Sequence, residues 1–468
     1  MLRSLRRRKV WLIVGPIAAL LLVITGIFTL RIPLKAHAAG VTLYVGSTIG
    51  LNSGCASPGF TSVQTAVDVA NPGATVYLCG TTPYAEQVII TKALTLTGDP
   101  GAGLVAPSPF PAAATYIGRL PSQFVTDNLF VPQTVVTVWG ASANVKIKNL
   151  IIAGVMPGNN SCAEQEFGVL VIAGGTAALI GDHVNDIRDA NSALYGCQFG
   201  VAIQIGREYW PFTDFSGDQT ESFVGHATIK TTTVSGYQKN GMTIDGPGTT
   251  ATVSGSTVNG AGRGNGNLLS PIIAQNGIQI SRGASAQVLS NTITGNSYTG
   301  PGGASDGGVL VYGGSCDGAA TPLTTGTKIQ NNNLQNNDVG VLIDNLSLDG
   351  NNQCSLPIAA TSVIAGHNHI TNSAVSNVSG TNLLNLPGGY QAGISDVGNS
   401  DRLTYNQICG VGYTAVAPPP YLSMIDIMAT NPTVMGNTVC TSSQNANILA
   451  SAKTGKKMHL RYIARPIK

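Results

Sequence analysis

Counted from a recurring glycine, two columns of residues in this chain have types that could do acid–base chemistry. The pattern Gly-apolar-x-apolar recurs at Gly168, Gly200, Gly241, Gly277, Gly308 and Gly340, with a weaker copy at Gly393. Two residues before the glycine stand Lys239, Gln275, Asp306 and Asp338; four residues after it stand Asp245, Ser281, Tyr312 and Asp344. If one copy is one turn of a coil, Asp306 and Asp338 lie on neighbouring turns about 4.8 Å apart, close enough to share a proton or a cation. A pair at that spacing suits a retaining glycosidase. A lyase needs calcium and a base, for which Arg282 or Lys239 stands nearby. The expected catalytic set is therefore Asp306, Asp338, Asp344, Asp245, Arg282 and Lys239, with Tyr312 and Gln279 against substrate. With Val309 and Val311 facing inward, Tyr312 faces out, so the columns should flank an exposed sheet. The competing reading is an ordinary acidic surface with no cofactor, calcium entering only with a lyase.

Such columns need a scaffold that repeats in register. A second pattern, apolar-x-x-Asn-x-apolar, centres on Asn291, Asn332, Asn368, Asn406 and Asn437, with Asp182, Thr232 and Ser256 as stand-ins in the same slot. Each copy holds short strands with one inward face and tight turns rich in Asn and Gly, and no helix-period segment intervenes. Stacked parallel coils would place each turn asparagine above the last, where side-chain amides hydrogen-bond along the stack. Asparagine also tolerates left-handed backbone angles. These residues are expected to be structural and to form one column.

One stretch breaks the strand pattern. Thr61 with Gln64 reads as a capping box, Val63, Ala66, Val67 and Ala70 form one apolar face, and Asn71-Pro72-Gly73 stops the helix. Such a helix plugs the open end of a solenoid, whose first coil lacks a neighbour. Strands are expected next at Val76 to Leu78, Val88 to Ile90 and Leu94 to Leu96.

The chain divides into residues 1–39 as a leader, 40–452 as one elongated domain and 453–468 as a basic tail. Arg3, Arg6, Arg7, Arg8 and Lys9 precede an apolar run from Val10 to Leu30, and Ala36-His37-Ala38 offers cleavage-type spacing. This pattern reads as a signal peptide or retained membrane anchor of an exported, secreted or cell-surface protein. Of 25 Lys and Arg, seven lie in the leader and six in the tail, which leaves 12 against 22 acidic residues between them. An acidic body argues against nucleic acid and does not favour polyanionic sugars. Eight cysteines in an exported chain read as four disulfides. Pairing is open from sequence, and a solenoid's nearest-neighbour contacts favour the sequential order Cys55–Cys79, Cys162–Cys197, Cys316–Cys354 and Cys409–Cys440.

With its helix followed by TVYLCGTTPYAEQVIITKALTLTG, the chain resembles right-handed parallel β-helix proteins of the pectin lyase-like superfamily over about residues 41 to 450. The resemblance implies an all-β solenoid of three stacked sheets and an association with polysaccharides. It implies no particular reaction, since that fold hosts lyases, hydrolases, esterases, epimerases and inactive adhesins. The superfamily's signatures are missing: no polygalacturonase-like Asn-Thr-Asp with Gly-His-Gly, no pectin-esterase-like Gln-Asp-Thr, no pectate-lyase-like Arg-x-Pro-x-x-Arg.

Four other motifs have plainer readings. Asp182-His183 resembles a lyase pair, but Asp182 fills the turn slot. Gly303 to Gly307 matches Gly-x-Ser-x-Gly without the strand and helix that a nucleophile elbow requires. His367 and His369 lack a third ligand. The loop REYWPFTDFSGD carries Tyr209 and Trp210, which either stack on sugar or cover the solenoid wall. The partner expected from all this is a polysaccharide or cell-envelope glycan bound by a monomer. Catalysis by the carboxylates and a purely structural role are the alternatives.

Overall fold

The computed structural model describes residues 40–450 apart from 47–49, 112–114, 117, 120–131, 158–161, 163–164, 207–222, 264–268, 301–303, 305, 319–320, 377–389, 414–420 and 441–447. The leader, the tail, Tyr209 and Trp210 lie outside the described residues.

Among those residues the chain winds as a right-handed parallel β-helix. After the strand Thr42–Gly46, which stands alone before the helix, each coil contributes one strand to each of three parallel sheets, of 12, 11 and 11 strands. The first sheet runs from Thr42–Gly46 to Thr433–Met435, the second from Tyr84–Ala85 to Thr438–Cys440, and the third from Val88–Ile90 to Ile448–Ala450. A single contiguous core of Val, Ile, Leu and Ala fills the lumen. In the first two sheets apolar residues alternate with outward polar ones, as in Asn144–Lys148 and Thr292–Thr294. Strands of the third sheet are buried on both faces: Asn240–Asp245, Asn276–Ser281 and Val339–Asn345 expose no residue. Parallel pairing breaks once, where Ser347–Leu348 pairs antiparallel with Cys354–Ser355 in a loop.

The asparagines form the expected column. Asn291, Asn332, Asn368 and Asn406 each have the backbone N–H and the side-chain amide donating to the next asparagine's Oδ1, at 2.9–3.1 Å. A second proton of each amide goes to a carbonyl of the preceding coil, as from Asn332 to Val288 at 2.9 Å. The stand-ins extend the chain upward: Ser256 N–H donates to Asn291, Thr232 N–H to Ser256, and Asp182 accepts from Leu150 and Ile180. Immediately before the column the backbone turns left-handed at Thr231, Ser290, Asn331, His367 and Tyr405. His367 and Tyr405 stack on each other at 5.1 Å, and His369 Nδ1 lies 3.1 Å from Gln407 Oε1. Both histidines thus belong to ladders along the coil wall.

The helix Val63–Val69 buries Val63, Ala66 and Val67 in the core. Its N-cap is Ser62, one residue past the expected Thr61. The capping-box carboxylate comes from the link between the strands Tyr84–Ala85 and Val88–Ile90: Glu86 accepts from Val63 N, Gln64 N and Ser62 Oγ at 2.9–3.0 Å. Gln64 instead turns inward, exchanging hydrogen bonds with Ile89. The disulfides join Cys55–Cys79, Cys162–Cys197, Cys316–Cys354 and Cys409–Cys440.

Replacing Asn332 with Ala leaves the Asn291 N–H without its acceptor and the Val288 carbonyl without its donor, both buried. The expected loss is about 2–4 kcal/mol, measured by chemical denaturation, whereas Asn333→Ala, one residue outside the column, costs under about 1 kcal/mol.

Candidate functional site

The repeated glycines belong to the third sheet and are there for space. A Cβ on Gly241, Gly277, Gly308 or Gly340 would lie 2.5–2.8 Å from the carbonyl oxygen of the corresponding glycine one coil on. The strands around them set the register, pairing Gly307 with Val339 and Tyr312 with Asp344. The two columns therefore sit at opposite ends of these strands, about 20 Å apart along the chain. The structure divides the expected catalytic set into two clusters.

At the entry end are Lys239, Asp306 and Asp338. The side chains of this column pin neighbouring loops: Gln275 donates to Tyr237 O, Gln391 to Ala374 O, and the Lys239 ammonium to Ala274 O at 2.6 Å. Asp338 accepts from Ser297 Oγ and Ser376 Oγ with one oxygen and from Tyr298 N with the other. Asp306 is on the adjacent coil as expected, but both carboxylates are fully buried. The expectation of an exposed sheet fails at this end, because the sheet's outer face is itself covered. Neither Asp306 oxygen makes a well-formed hydrogen bond. Burial first, then the charge of Asp338, holds its carboxyl well above the usual carboxylate range. Burial pushes Asp338 up to about 6 against its hydrogen bonds and Arg263, and desolvation of the Lys239 ammonium pulls it down to about 8. Arg263, which nothing in the sequence pattern singled out, closes the cluster. It donates to Ser297 Oγ and Asn372 Oδ1 and comes within 4.0 Å of Asp338.

The exit end gathers Asp245, Arg282, Tyr312, Gln279 and Asp344. Arg282 has a left-handed backbone, φ 51°, in a place that Gly246 takes one coil earlier; a non-glycine residue there costs on the order of 1 kcal/mol. Its guanidinium bridges Asp245 at 3.2 Å and Asp317 at 2.9 Å and lies over the Tyr312 ring at 4.9 Å. Asp245 also accepts from Ser281 Oγ at 2.6 Å. Gln279 accepts from Asn240 and donates to Ser281, with the Tyr312 hydroxyl 3.5 Å away. Asp245 and Asp344 are buried, so of this cluster Tyr312 and Asp317 reach solvent, each in part. Burial raises the Asp317 carboxyl, with Arg282 opposing it. Asp317 escaped notice in the sequence because it belongs to the loop that opens after the strand.

Two further features were legible and missed. A second amide ladder runs one strand on, Asn296 donating to Asn337 Oδ1 and Asn372 to Asn337 O; its members follow the first column by five, five and four residues. Near the carboxyl end Asp396 and Asp401, both buried, lie together: burial and then the charge of Asp401 hold the Asp396 carboxyl well above its ordinary range, and burial raises the Asp401 carboxyl against its hydrogen bonds to Thr361, Val363 and Asp396.

Among the described residues no three His, Cys, Asp or Glu converge as metal ligands. Calcium does not fit the entry cluster either: it offers two carboxylates, one with its oxygens already accepting three hydrogen bonds, beside Arg263 and Lys239. A cavity of about 190 Å³ near the helix is lined by Gln64, Glu86, Tyr116 and Arg119, and its Glu86 is committed to the helix amino terminus.

No family model matches the sequence, and no curated protein does. Solved structures resemble the chain at low identity. XylC in complex with xylose shares 12% identity at TM-score 0.45, over 79% of this chain and 69% of that one. PfbA, a surface adhesin of Streptococcus pneumoniae, shares 12% at 0.43 over 86% and 91%. A polygalacturonase from Erwinia carotovora ssp. carotovora shares 13% at 0.39 over 88% and 98%.

Asp338 and Asp306 bind protons more tightly folded than unfolded. Their contribution to stability is complete below about pH 4 and is lost as pH rises, for Asp338 through about 6. Asp338→Asn should therefore leave the melting temperature unchanged near pH 4 and raise stability at pH 8 by about 2–3 kcal/mol. Thermal melts of both proteins across that range are the check.

Proposed function

We propose that this right-handed parallel β-helix is an exported, disulfide-bonded protein that contacts carbohydrate with the exit edge of its third sheet, without catalysing its cleavage. The observation that carries the reading is the contrast between the two clusters. The paired carboxylates Asp306 and Asp338 are sealed in the wall, whereas the other cluster, whose Asp317 carboxyl burial also raises, reaches solvent through Tyr312 and Asp317 and has the composition of a binding patch. There Tyr312 is half-buried with the Arg282 guanidinium over its ring, the buried Gln279 amide lies 3.5 Å from its hydroxyl, and the same guanidinium holds the partly exposed Asp317 carboxylate. An aromatic face takes the apolar side of a sugar ring, and fixed amide and carboxylate groups take its hydroxyls. The strained Arg282 backbone fits a site at which geometry matters more than local stability. The leader and the four disulfides support an oxidising, extracellular setting.

A second reading, cleavage of a polysaccharide through Asp306 and Asp338, is favoured by one observation: Asp338 at about 6 and Lys239 at about 8 bracket neutral pH. Under it Asp306 is the protonated acid, Asp338 the base and Arg263 the cation beside them. It requires the loops over the cluster to open.

Binding and product formation are measured together on neutral and acidic polysaccharides. Tyr312→Ala is expected to weaken glycan binding about tenfold, the loss of one stacking contact of roughly 1.4 kcal/mol, with no product released by either protein. Wild-type cleavage that Asp338→Asn abolishes would replace this reading with the second one, and unchanged binding by Tyr312→Ala would remove the exit edge as the contact.

A further inference from the structure

From Thr233–Ser235 onward, the outward positions of the second sheet's strands carry no Asp, Glu, Lys or Arg. Thr257, Thr292, Asn333, His369 and Gln407 stand in one row on successive coils, paired residue to residue. A parallel row two residues on includes Asn259 and Thr294, whose hydroxyl donates to Asn259 Oδ1 at 3.0 Å. Between each pair the middle residue points into the core, so both rows face outward. From Thr233 to Thr438 these rows span seven coils, about 30 Å, and include no Asp, Glu, Lys or Arg. The outward positions of the adjoining first sheet include Lys230, Lys328 and Arg402.

A solvated sheet face normally accumulates charge, and depletion of charge on a flat, half-exposed face is the compositional mark of a contact surface. The groups that replace charge here are mostly hydroxyls and amides, which both donate and accept, with His369 in the first row and the Cys409–Cys440 disulfide ending the second. Their spacing along the axis is fixed by the coil repeat. A neutral polysaccharide presents the same chemistry in return: hydroxyl groups in a regular series, with no charge to be desolvated. A uronate polymer would bring carboxylates against a face offering no Lys or Arg, on a body with 12 basic and 22 acidic residues, and would be disfavoured.

We infer that this face is a second glycan contact, which takes an extended, neutral polysaccharide lying along the coil axis. The inference rests on the carbohydrate reading above but uses different residues. Every coil adds a rung with at least one hydroxyl or amide, so affinity grows with the length of the glycan until the seven rungs are covered.

Affinity electrophoresis of the full chain through gels containing a linear neutral β-glucan or polygalacturonate tests it. Expected are retardation by the glucan alone, a loss of about tenfold in Thr292→Glu and in Gln335→Lys, and unchanged retardation in Thr292→Ser, which keeps the hydroxyl. The two charged variants carry opposite signs on separate rows, so a folding defect in one leaves the other informative, and melting temperatures are recorded for both. Charged variants that bind like wild type overturn this face while leaving the exit edge intact if Tyr312→Ala still loses binding. Retardation by polygalacturonate alone overturns the neutral-glycan assignment. A wild type retarded by no polysaccharide overturns both carbohydrate readings.

Discussion

A parallel coil buries the polar atoms of its own corners, and the whole structure depends on meeting them from the next coil. Strand hydrogen bonds run along the axis already, so what remains are the N–H and C=O groups of the residues that turn the chain. An unmet buried amide costs about 1–3 kcal/mol, and repeated at every coil that cost would exceed the net stability of an ordinary domain. Asparagine meets it with one short side chain: its oxygen takes an N–H and an amide proton from the coil above, and its remaining proton reaches a carbonyl. Two such ladders, through Asn332 and Asn337, occupy successive corners of the same coil.

From that constraint follows the division of labour among the three sheets. The corner between the first and second sheets holds no insertion at Ser290–Asn291 or Asn331–Asn332, because the amide ladder needs consecutive coils in contact. Insertions gather instead at the two ends of the third-sheet strands. There the wall must anchor loops of different length, and the residues two before each glycine do so with whatever polar group reaches: glutamine at 275 and 391, aspartate at 338. A side chain chosen to hold a loop is difficult to distinguish in sequence from one placed for chemistry. Asp306 is the member of this column whose carboxylate oxygens accept no well-formed hydrogen bond, and its burial beside Asp338 is what raises it.

This explains which parts were legible. Strand period, the glycine register and the first asparagine column are local patterns repeated many times, so the fold, its three sheets and the pairing of Asp306 with Asp338 on adjacent coils could be read from spacing. Burial could not. Alternation marks a residue as pointing out of the lumen, but Leu310, Leu342 and Tyr390 form a second apolar cluster on the outer side of the third sheet, which turns outward positions into buried ones. Long-range partners were equally hidden: Glu86 caps a helix more than twenty residues before it, and Arg263 reaches Asn372 across 109 residues. The Ser62 cap was missed because Thr61–Gln64 has the right spacing, whereas the carboxylate that completes the cap is not in the helix at all.

Recognition in such a molecule has few places to go. The lumen is filled, the asparagine corner is spent on its ladder, and the entry column is spent on loops. What stays free is a strand end with an adaptable loop, or a flat face. The exit edge is of the first kind: Arg282 is held by two carboxylates from different coils and in turn braces the Tyr312 ring, so the ring's orientation is set before any ligand arrives and little entropy is lost on contact. The second sheet is of the other kind, rigid because each rung is bonded to its neighbours. On the carbohydrate reading proposed above, one surface discriminates through a single shaped contact and the other through repetition, and a polymer is the ligand for which both modes would act at once.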